Sequence, residues 1–491
     1  MCKIGLLIGT GYYGEDIMHK LPWIEKMENH EFFIASRINP DIHLNPVLTN
    51  KSLNEEFLNQ IRISVSKLQD ISKFNIIYES EHFNKKYTEK SINDLEEWLG
   101  ISFKYIGSLD RRFYNKETQI DSRNENDLNQ YIASLVEFFK TFFLENKIDI
   151  FINTIEDDVF SSVAYYTAKK LNIEILGLMW GRFPRKGIIF CKDYTEICRW
   201  NENEVKLSEI EDLYTKPTIA HKDIMIKNQD HLKFISIIKR IQNSMWVINY
   251  NKFVKNIEKL INYEKFIFEK TSLFKEIKKY FKKLTRKFLI NLILDNVDYN
   301  EPFFLFPLHF TDDAQLTFRE PFVNQFTIIK DLARALPENH FLYVKPHPHY
   351  LGTDVKFSDI RKLKKIKGIK LINPIYSPID LIKNSKAVIT INSTTGFESL
   401  VMKTPVISFG HDFYCKEDLC YIVRDFNELP QIVNKISNSD FKSDKDAKRF
   451  LKNVYMNTIW IETMNLDGAF ALTDTDGFKI AKSLDKILEK N

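Results

Sequence analysis

Short apolar, β-branched runs recur along the first 180 residues, and the stretches between them repeat apolar positions at helical spacing. The runs are KIGLLIG (3–9), HEFFIAS (30–36), FNIIYES (74–80), IDIFINT (148–154) and IEILGLM (173–179). After about residue 300 the same alternation returns in PFFLFPL (302–308), HFLYVKP (340–346), GIKLINP (368–374), KAVITIN (386–392) and TPVISFG (404–410). Strands that read as continuous apolar runs, each followed by a helical pattern, predict parallel sheets covered by helices on both faces. The expectation is therefore an α/β chain with two open sheets. Its parts are an N-terminal domain over 1–215, a helical insertion over 216–300, a C-terminal domain over 301–460 and a helical tail over 461–491.

The insertion differs in charge. The whole chain is close to balanced, at +4, but residues 231–300 hold 15 basic and 6 acidic side chains, a net +9 against −5 for the remainder. Within it Phe274, Ile277, Phe281, Leu284 and Phe288 fall at steps of three and four with lysines between them, the pattern of an amphipathic helix with a basic face. Such a helix either packs its stripe on a core or, over 270–294, lies on an anionic membrane surface. No nucleic-acid-reading module accompanies the charge, so nucleic acid is not an expected partner. No apolar run reaches the roughly 18 residues of a membrane span, and the first residues lack the pattern of a cleaved leader. Five cysteines without a CxxC pair suit a reducing compartment and make zinc an unlikely guest.

In open α/β sheets ligands collect at the carboxyl ends of the strands. Four such ends in the second half carry chemistry. His309, Asp312 and Asp313 follow the 302–308 run; Lys345, His347 and His349 stand among Pro346 and Pro348; Tyr376 and Ser377 begin a helix after 368–374; and Ser393, Thr394, Thr395 and Gly396 begin another after 386–392. Hydroxyls and unpaired N–H groups at a helix start attract anions, so the expected ligand is a phosphate. Prolines around His347 hold its imidazole with little freedom left to lose.

The strings FPLHFTDDAQLTFREPF, YVKPHPH and SPIDLIKNSKAVITINSTTGFESLVMKTPVISFGHDFY, over about residues 301–425, resemble the capsule polysaccharide biosynthesis family, which includes bacterial Kdo transferases. The resemblance implies a GT-B-like fold: two Rossmann-like domains facing a central cleft, using a nucleotide sugar as substrate and no further cofactor. It also implies that His347 and the Ser393 to Thr395 turn lie near the donor phosphate; His309, Lys345, Pro348, Tyr376, Ser377, Gly396 and Glu398 are the further candidate contacts to the nucleotide. In members that transfer Kdo from its CMP conjugate a QxxxD string follows the first strand of this domain. Here His309 stands at the glutamine position and Asp313 at the acidic one.

Breaking a glycosyl phosphate bond leaves positive charge on the sugar and negative charge on the phosphate, so a carboxylate is wanted on one side and donors on the other. Asp313 is the candidate carboxylate and His347 the candidate donor. The family resemblance favours retention of configuration. A base for the acceptor hydroxyl is expected from Glu156 or Asp157, with Asp158 beside them, after the 148–154 run. Gly9 and Gly11, Asp110 and Arg111 with Arg112, and Arg182 with Arg185 and Lys186 are candidate acceptor contacts.

Two strings point elsewhere. Gly9, Gly11 and Gly14 have dinucleotide-binding spacing, but the second strand ends in Arg37 rather than an acid, which leaves an NADP-dependent or nucleotide-sugar-modifying enzyme as the alternative. Asp474 and Asp476 mimic a metal-binding DxD, yet they open the C-terminal helix and read better as helix caps. The expectation is a metal-independent glycosyltransferase building surface polysaccharide on a lipid-linked or oligosaccharide acceptor, cytoplasmic and peripheral at the inner face of the cell membrane.

Overall fold

The computed structural model describes residues 2–8, 15–36, 74–78, 86–109, 114–115, 119–120, 125–154, 158–183, 187–201, 205–206, 208–210, 285–286, 288–309, 316, 319, 324–347, 357–437, 444–461, 463–466 and 469–490. Two compact units result. One comprises Met1–Gly181, Lys186–Glu204 and Met456–Asn491, the other Arg182–Arg185 and Val205–Tyr455.

In the first unit β1 (Lys3–Ile8), α1 (Glu15–Ile24), β2 (Glu31–Ser36) and β3 (Phe74–Tyr78) open the sheet. There follow α2 (Glu89–Leu99), α3 (Phe103–Leu109), the small hairpin β4 (Tyr114–Asn115) and β5 (Gln119–Ile120), α4 (Glu125–Glu145), β6 (Ile150–Thr154), α5 (Val159–Lys170), β7 (Glu174–Trp180), β8 (Gly187–Lys192) and β9 (Glu196–Ile197). The strands predicted from the apolar runs are β1, β2, β3, β6 and β7, and all pair in parallel. Both faces are covered. On one, Phe139 and Phe143 of α4 pack on Phe160 and Phe151, with ring centroids 5.1 and 5.2 Å apart. On the other, Trp23 of α1 joins Ile4, Leu6, Ile34, Ile150 and Leu176 in one cluster.

The second unit contains β10 (Phe303–Pro307), α6 (Gln325–Ala335), β11 (Phe341–Lys345), α7 (Phe357–Leu363), β12 (Ile369–Leu371), α8 (Pro378–Asn384), β13 (Ala387–Thr390), α9 (Thr394–Val401), β14 (Val406–Ser408), β15 (Tyr421–Ile422), α10 (Leu429–Ser437) and α11 (Asp444–Met456). Its six strands pair in parallel in the order β12-β11-β10-β13-β14-β15. Phe304 and Phe306 of β10 enter one apolar cluster while Phe303 and Leu305 enter another, so neighbouring side chains bury on opposite faces. That is why the run reads as unbroken. Starting at β10 the chain moves outward to β11 and β12, then returns to β13 and proceeds the other way. The reversal between β10 and β13 opens a crevice at their carboxyl ends.

Residues 461–491 are not a separate helical tail. β16 (Ile459–Trp460) pairs antiparallel with β8, β17 (Thr463–Leu466) pairs with β18 (Ala469–Leu472), and α12 (Asp474–Lys490) adds Ile480, Leu484 and Ile487 to the cluster around Trp23. At Gly477 an added Cβ would stand 2.2 Å from the Pro22 carbonyl oxygen, so only glycine permits α12 to approach α1 so closely. Residues 216–284, most of the expected basic insertion, lie outside the described residues. Among the described residues no helix is long and apolar enough to cross a membrane.

Candidate functional site

The turn after β13 is built from hydroxyls. Ser393 caps α9, its Oγ accepting from the Thr395 N–H at 3.2 Å, and its own N–H donates to Thr390 Oγ1 at 2.8 Å. Beneath the turn Tyr414 is fully buried and donates its hydroxyl to the Ser393 carbonyl at 2.5 Å. Burial pushes the Tyr414 phenol well above its ordinary range, so it stays a donor. This ring also explains the glycine of STTG: a Cβ at Gly396 would stand 2.6 Å from Tyr414 Oη and 2.8 Å from Thr390 Cγ2. Gly410, after β14, passes still closer, with an added Cβ 1.8 Å from the Ile391 carbonyl oxygen.

A buried ionic group adjoins the turn. The Asp412 carboxylate, fully buried, accepts from Arg182 Nη2 at 2.7 Å and from Arg319 Nη1 at 2.9 Å. Its backbone N–H donates to Asn392 Oδ1 at 3.0 Å, which ties the exit of β14 to the exit of β13. Arg182 Nη1 donates in addition to Thr394 Oγ1 at 3.3 Å, and Arg319 Nη2 to the His411 carbonyl at 2.7 Å. Phe183, beside Arg182, is buried against Phe397 of α9 and Tyr455 of α11. Arg182, expected at the acceptor, is therefore a partner of the STTG turn. Although it lies in the connection between β7 and β8, its segment belongs to the second unit.

The other strand ends lie alongside. Beyond β10 the His309 N–H donates to Gln325 Oε1 at 2.9 Å and the His309 carbonyl accepts from Gln325 Nε2 at 3.1 Å, so one α6 side chain fixes the backbone there. Past β11 Pro346 is buried and His347 exposed. Lys345 is buried, and its Nζ donates to the Pro374 carbonyl at 3.0 Å; burial lowers its amine to about 8. Following β12, Ser377 caps α8 through the Asp380 N–H at 3.4 Å, with Tyr376 half-buried before it. Glu398, on α9, is partly covered, and burial raises its carboxyl to about 7.

Because β11, β10 and β13 are consecutive in the sheet and parallel, His347, His309 and the Ser393 turn leave it at one edge. The outer two are separated by two strand spacings, about 10 Å. A phosphate ester with its nucleoside spans such a distance.

Several candidates lie outside the described residues: Asp312, Asp313, Pro348, His349, Gly9, Gly11, Gly14, Arg37, Asp110, Arg111, Arg112, Glu156, Asp157, Arg185 and Lys186. Asp158 caps α5, its Oδ1 accepting from the Ser161 N–H at 2.8 Å. Asp476 forms a reciprocal capping box at the start of α12: its Oδ2 accepts from the Thr473 N–H at 3.1 Å, while Thr473 Oγ1 accepts from the Asp476 N–H at 3.1 Å. The DxD-like string thus caps a helix. Sequence reasoning missed Arg319, Asp412 and Tyr414. Asp412 does follow an apolar strand run, but nothing along the chain signals that it meets an arginine 230 residues away.

Residues 205–422, which include every strand of this sheet, match the family described as capsule polysaccharide biosynthesis protein. Over these residues, somewhat under half of the chain, the sequence is similar to the capsule polysaccharide biosynthesis family. The chain is also similar to curated proteins. Protein FixF of Sinorhizobium fredii is 28% identical over 172 residues, 33% of this chain and 39% of the relative. Capsule polysaccharide export protein KpsS of Escherichia coli is 25% identical over 152 residues, 29% of this chain and 38% of the relative. The chain thus spans under two-fifths of the length of these relatives. Among solved structures, the β-Kdo 2,7 transferase of Thermosulfurimonas dismutans KpsC overlaps 70% of this chain and 89% of its own at a TM-score of 0.30 and 14% identity. A glycosyltransferase from Rickettsia africae overlaps the whole of this chain and 99% of its own at a TM-score of 0.29 and 12% identity.

Proposed function

We propose that the chain is a glycosyltransferase of capsule or related surface-polysaccharide synthesis that takes its sugar from a nucleotide-activated donor held by the second unit. The observation that carries this reading is the common edge of the second sheet, within the capsule-family region. There the Ser393 to Thr395 hydroxyls, Arg182, His309 and His347 gather at the exits of β13, β10 and β11. Donor phosphate oxygens would accept from the α9 start and from Arg182, and His347, exposed at the neighbouring exit, would offset the charge that develops on the leaving phosphate. Asp313 would stabilise the sugar cation or attack it, and Glu156 or Asp157 would take the proton of the acceptor hydroxyl. These three roles rest on the sequence and the chemistry of transfer.

Finer points belong to the same proposal. The acidic position of Asp313 and the resemblance to Kdo transferases favour a CMP-linked acidic sugar, transferred with retention and without metal. A lipid-linked acceptor would place the enzyme at the inner face of the membrane, where the basic 270–294 stretch adds attraction of about 1 kcal/mol per lysine or arginine.

Incubation of the protein with a panel of CMP-, UDP- and GDP-sugars and a membrane extract, followed by mass spectrometry, tests the reading. The expected result is a glycan or glycolipid heavier by one sugar and release of the matching nucleotide, both lost in His347→Ala. Thermal stabilisation by NADP and by no pyrimidine nucleotide would overturn it.

A further inference from the structure

Lys345 has an unexpected position. It was expected to touch the donor, yet it is only 8% exposed and its amine is directed at the Pro374 carbonyl, 3.0 Å away. Its backbone is engaged as well: Lys345 is in register with Pro307 of β10, and its carbonyl accepts from the Leu308 N–H at 2.9 Å. Pro374 lies in a tight turn after β12, where Asn373 Oδ1 accepts from the Ile375 N–H at 3.1 Å and the Asn373 carbonyl accepts from the Tyr376 N–H at 3.3 Å. That turn delivers Tyr376 and Ser377. One residue therefore ties together the exits of three adjacent strands.

We infer that Lys345 is a positioning residue, a latch that holds the Tyr376–Ser377 turn at a fixed distance from the strand end presenting His347, so that both sides of the donor site keep their spacing. This rests on the reading of that edge as a donor site. Burial of an ammonium against a single carbonyl is costly, and a chain that needed only packing would place an apolar side chain here. The titratable groups at the same strand exits are His309, His347, Tyr376 and Asp380. Burial lowers the amine to about 8. The latch is thus charged at pH 7 and loses its charge, and with it the stronger form of the hydrogen bond, by pH 9.

The test uses the full chain and two variants, Lys345→Met, which keeps the length and removes the amine, and Lys345→Arg, which stays charged. Hydrogen exchange of the 373–377 amides is read at pH 7, and CMP and UDP affinities are read by calorimetry at pH 7 and pH 9. Lys345→Met is expected to speed exchange of the turn at least fivefold and weaken nucleotide binding at least tenfold, at a melting temperature equal to or above that of the wild type. A purely structural lysine would instead lower that temperature. Wild-type affinity is expected to fall severalfold between pH 7 and pH 9, and that of Lys345→Arg to stay level. Unchanged exchange and unchanged affinity in Lys345→Met, in a wild type that binds nucleotide, would overturn the latch and leave the donor site standing. A wild type that binds neither nucleotide while Lys345→Met still loosens the turn would overturn the donor site and leave a latch without that purpose. Loss of binding accompanied by a lower melting temperature and an unaltered pH profile would return Lys345 to a structural role.

Discussion

Gly396 is fixed by the ring beneath it. A methyl group there meets Tyr414 Oη and Thr390 Cγ2 inside 3 Å, and neither side chain has free volume to enter. Gly396→Ala is therefore expected to cost about 1–3 kcal/mol, as overpacking of a core does, and to shift the Ser393 cap. Thermal melting with and without CMP checks both effects. Asp412 has a different vulnerability. Its removal takes the shared carboxylate from two mostly buried guanidiniums, so Asp412→Ala should lose about 3–5 kcal/mol, read as a drop in the denaturant midpoint at constant slope. Glu398 gives a pH signature. Its carboxyl is raised from 4.5 to about 7, so the folded chain binds a proton that the unfolded chain releases between those values. The stability it contributes is full below about pH 4.5 and is lost as the pH rises through 7. Glu398→Gln, which cannot ionise, should melt higher than wild type at pH 8, by an amount on the order of 1–3 kcal/mol, with the gap closing near pH 4.5.

At the scale of elements, α12 shows how a short string acquires a meaning from its place. Thr473 and Asp476 satisfy each other's N–H groups, and Asp474 and Asp476 add negative charge where the helix dipole is positive. Thr473→Ala should cost about 1 kcal/mol, checked by melting, and should not alter transfer. The same spacing of acids in a loop would have suggested a metal. The strands were legible for a related reason. Largely apolar runs of seven residues, unbroken because both sheet faces are covered, locate β1, β2, β3, β6, β7 and β10 through β14 within a residue or two at most ends. The antiparallel strands β8, β9 and β16 were not legible. They are elements of two to six residues at one end of the sheet, and β16 takes its register from a strand about 270 residues earlier.

For the whole molecule, the C-terminal segment has the largest consequence. Ile459, Ile461, Leu472, Ile480, Leu484, Ile487 and Leu488 complete the apolar cluster of the first unit. Each is worth about 1.5–3 kcal/mol on burial, and a domain's whole margin is about 5–15 kcal/mol. A chain ending at Tyr455 is therefore expected to expose the Trp23 face and aggregate, seen as dye binding and loss of a cooperative melt. A helical tail that merely trailed from the fold would be dispensable.

The order of apolar runs, the hydroxyls of STTG and the imidazoles between prolines were decided by the sequence alone, because short-range patterns suffice to specify strands, helix starts and the chemistry at their ends. The assignment of Arg182 to Thr394 and Asp412, the burial of Lys345 against Pro374 and the return of the last helix to the first sheet were decided only by the tertiary structure. Each of these joins residues tens to hundreds of positions apart. Such contacts form because parallel strands must cross over, and a crossover brings together side chains whose separation along the chain carries no trace of their meeting.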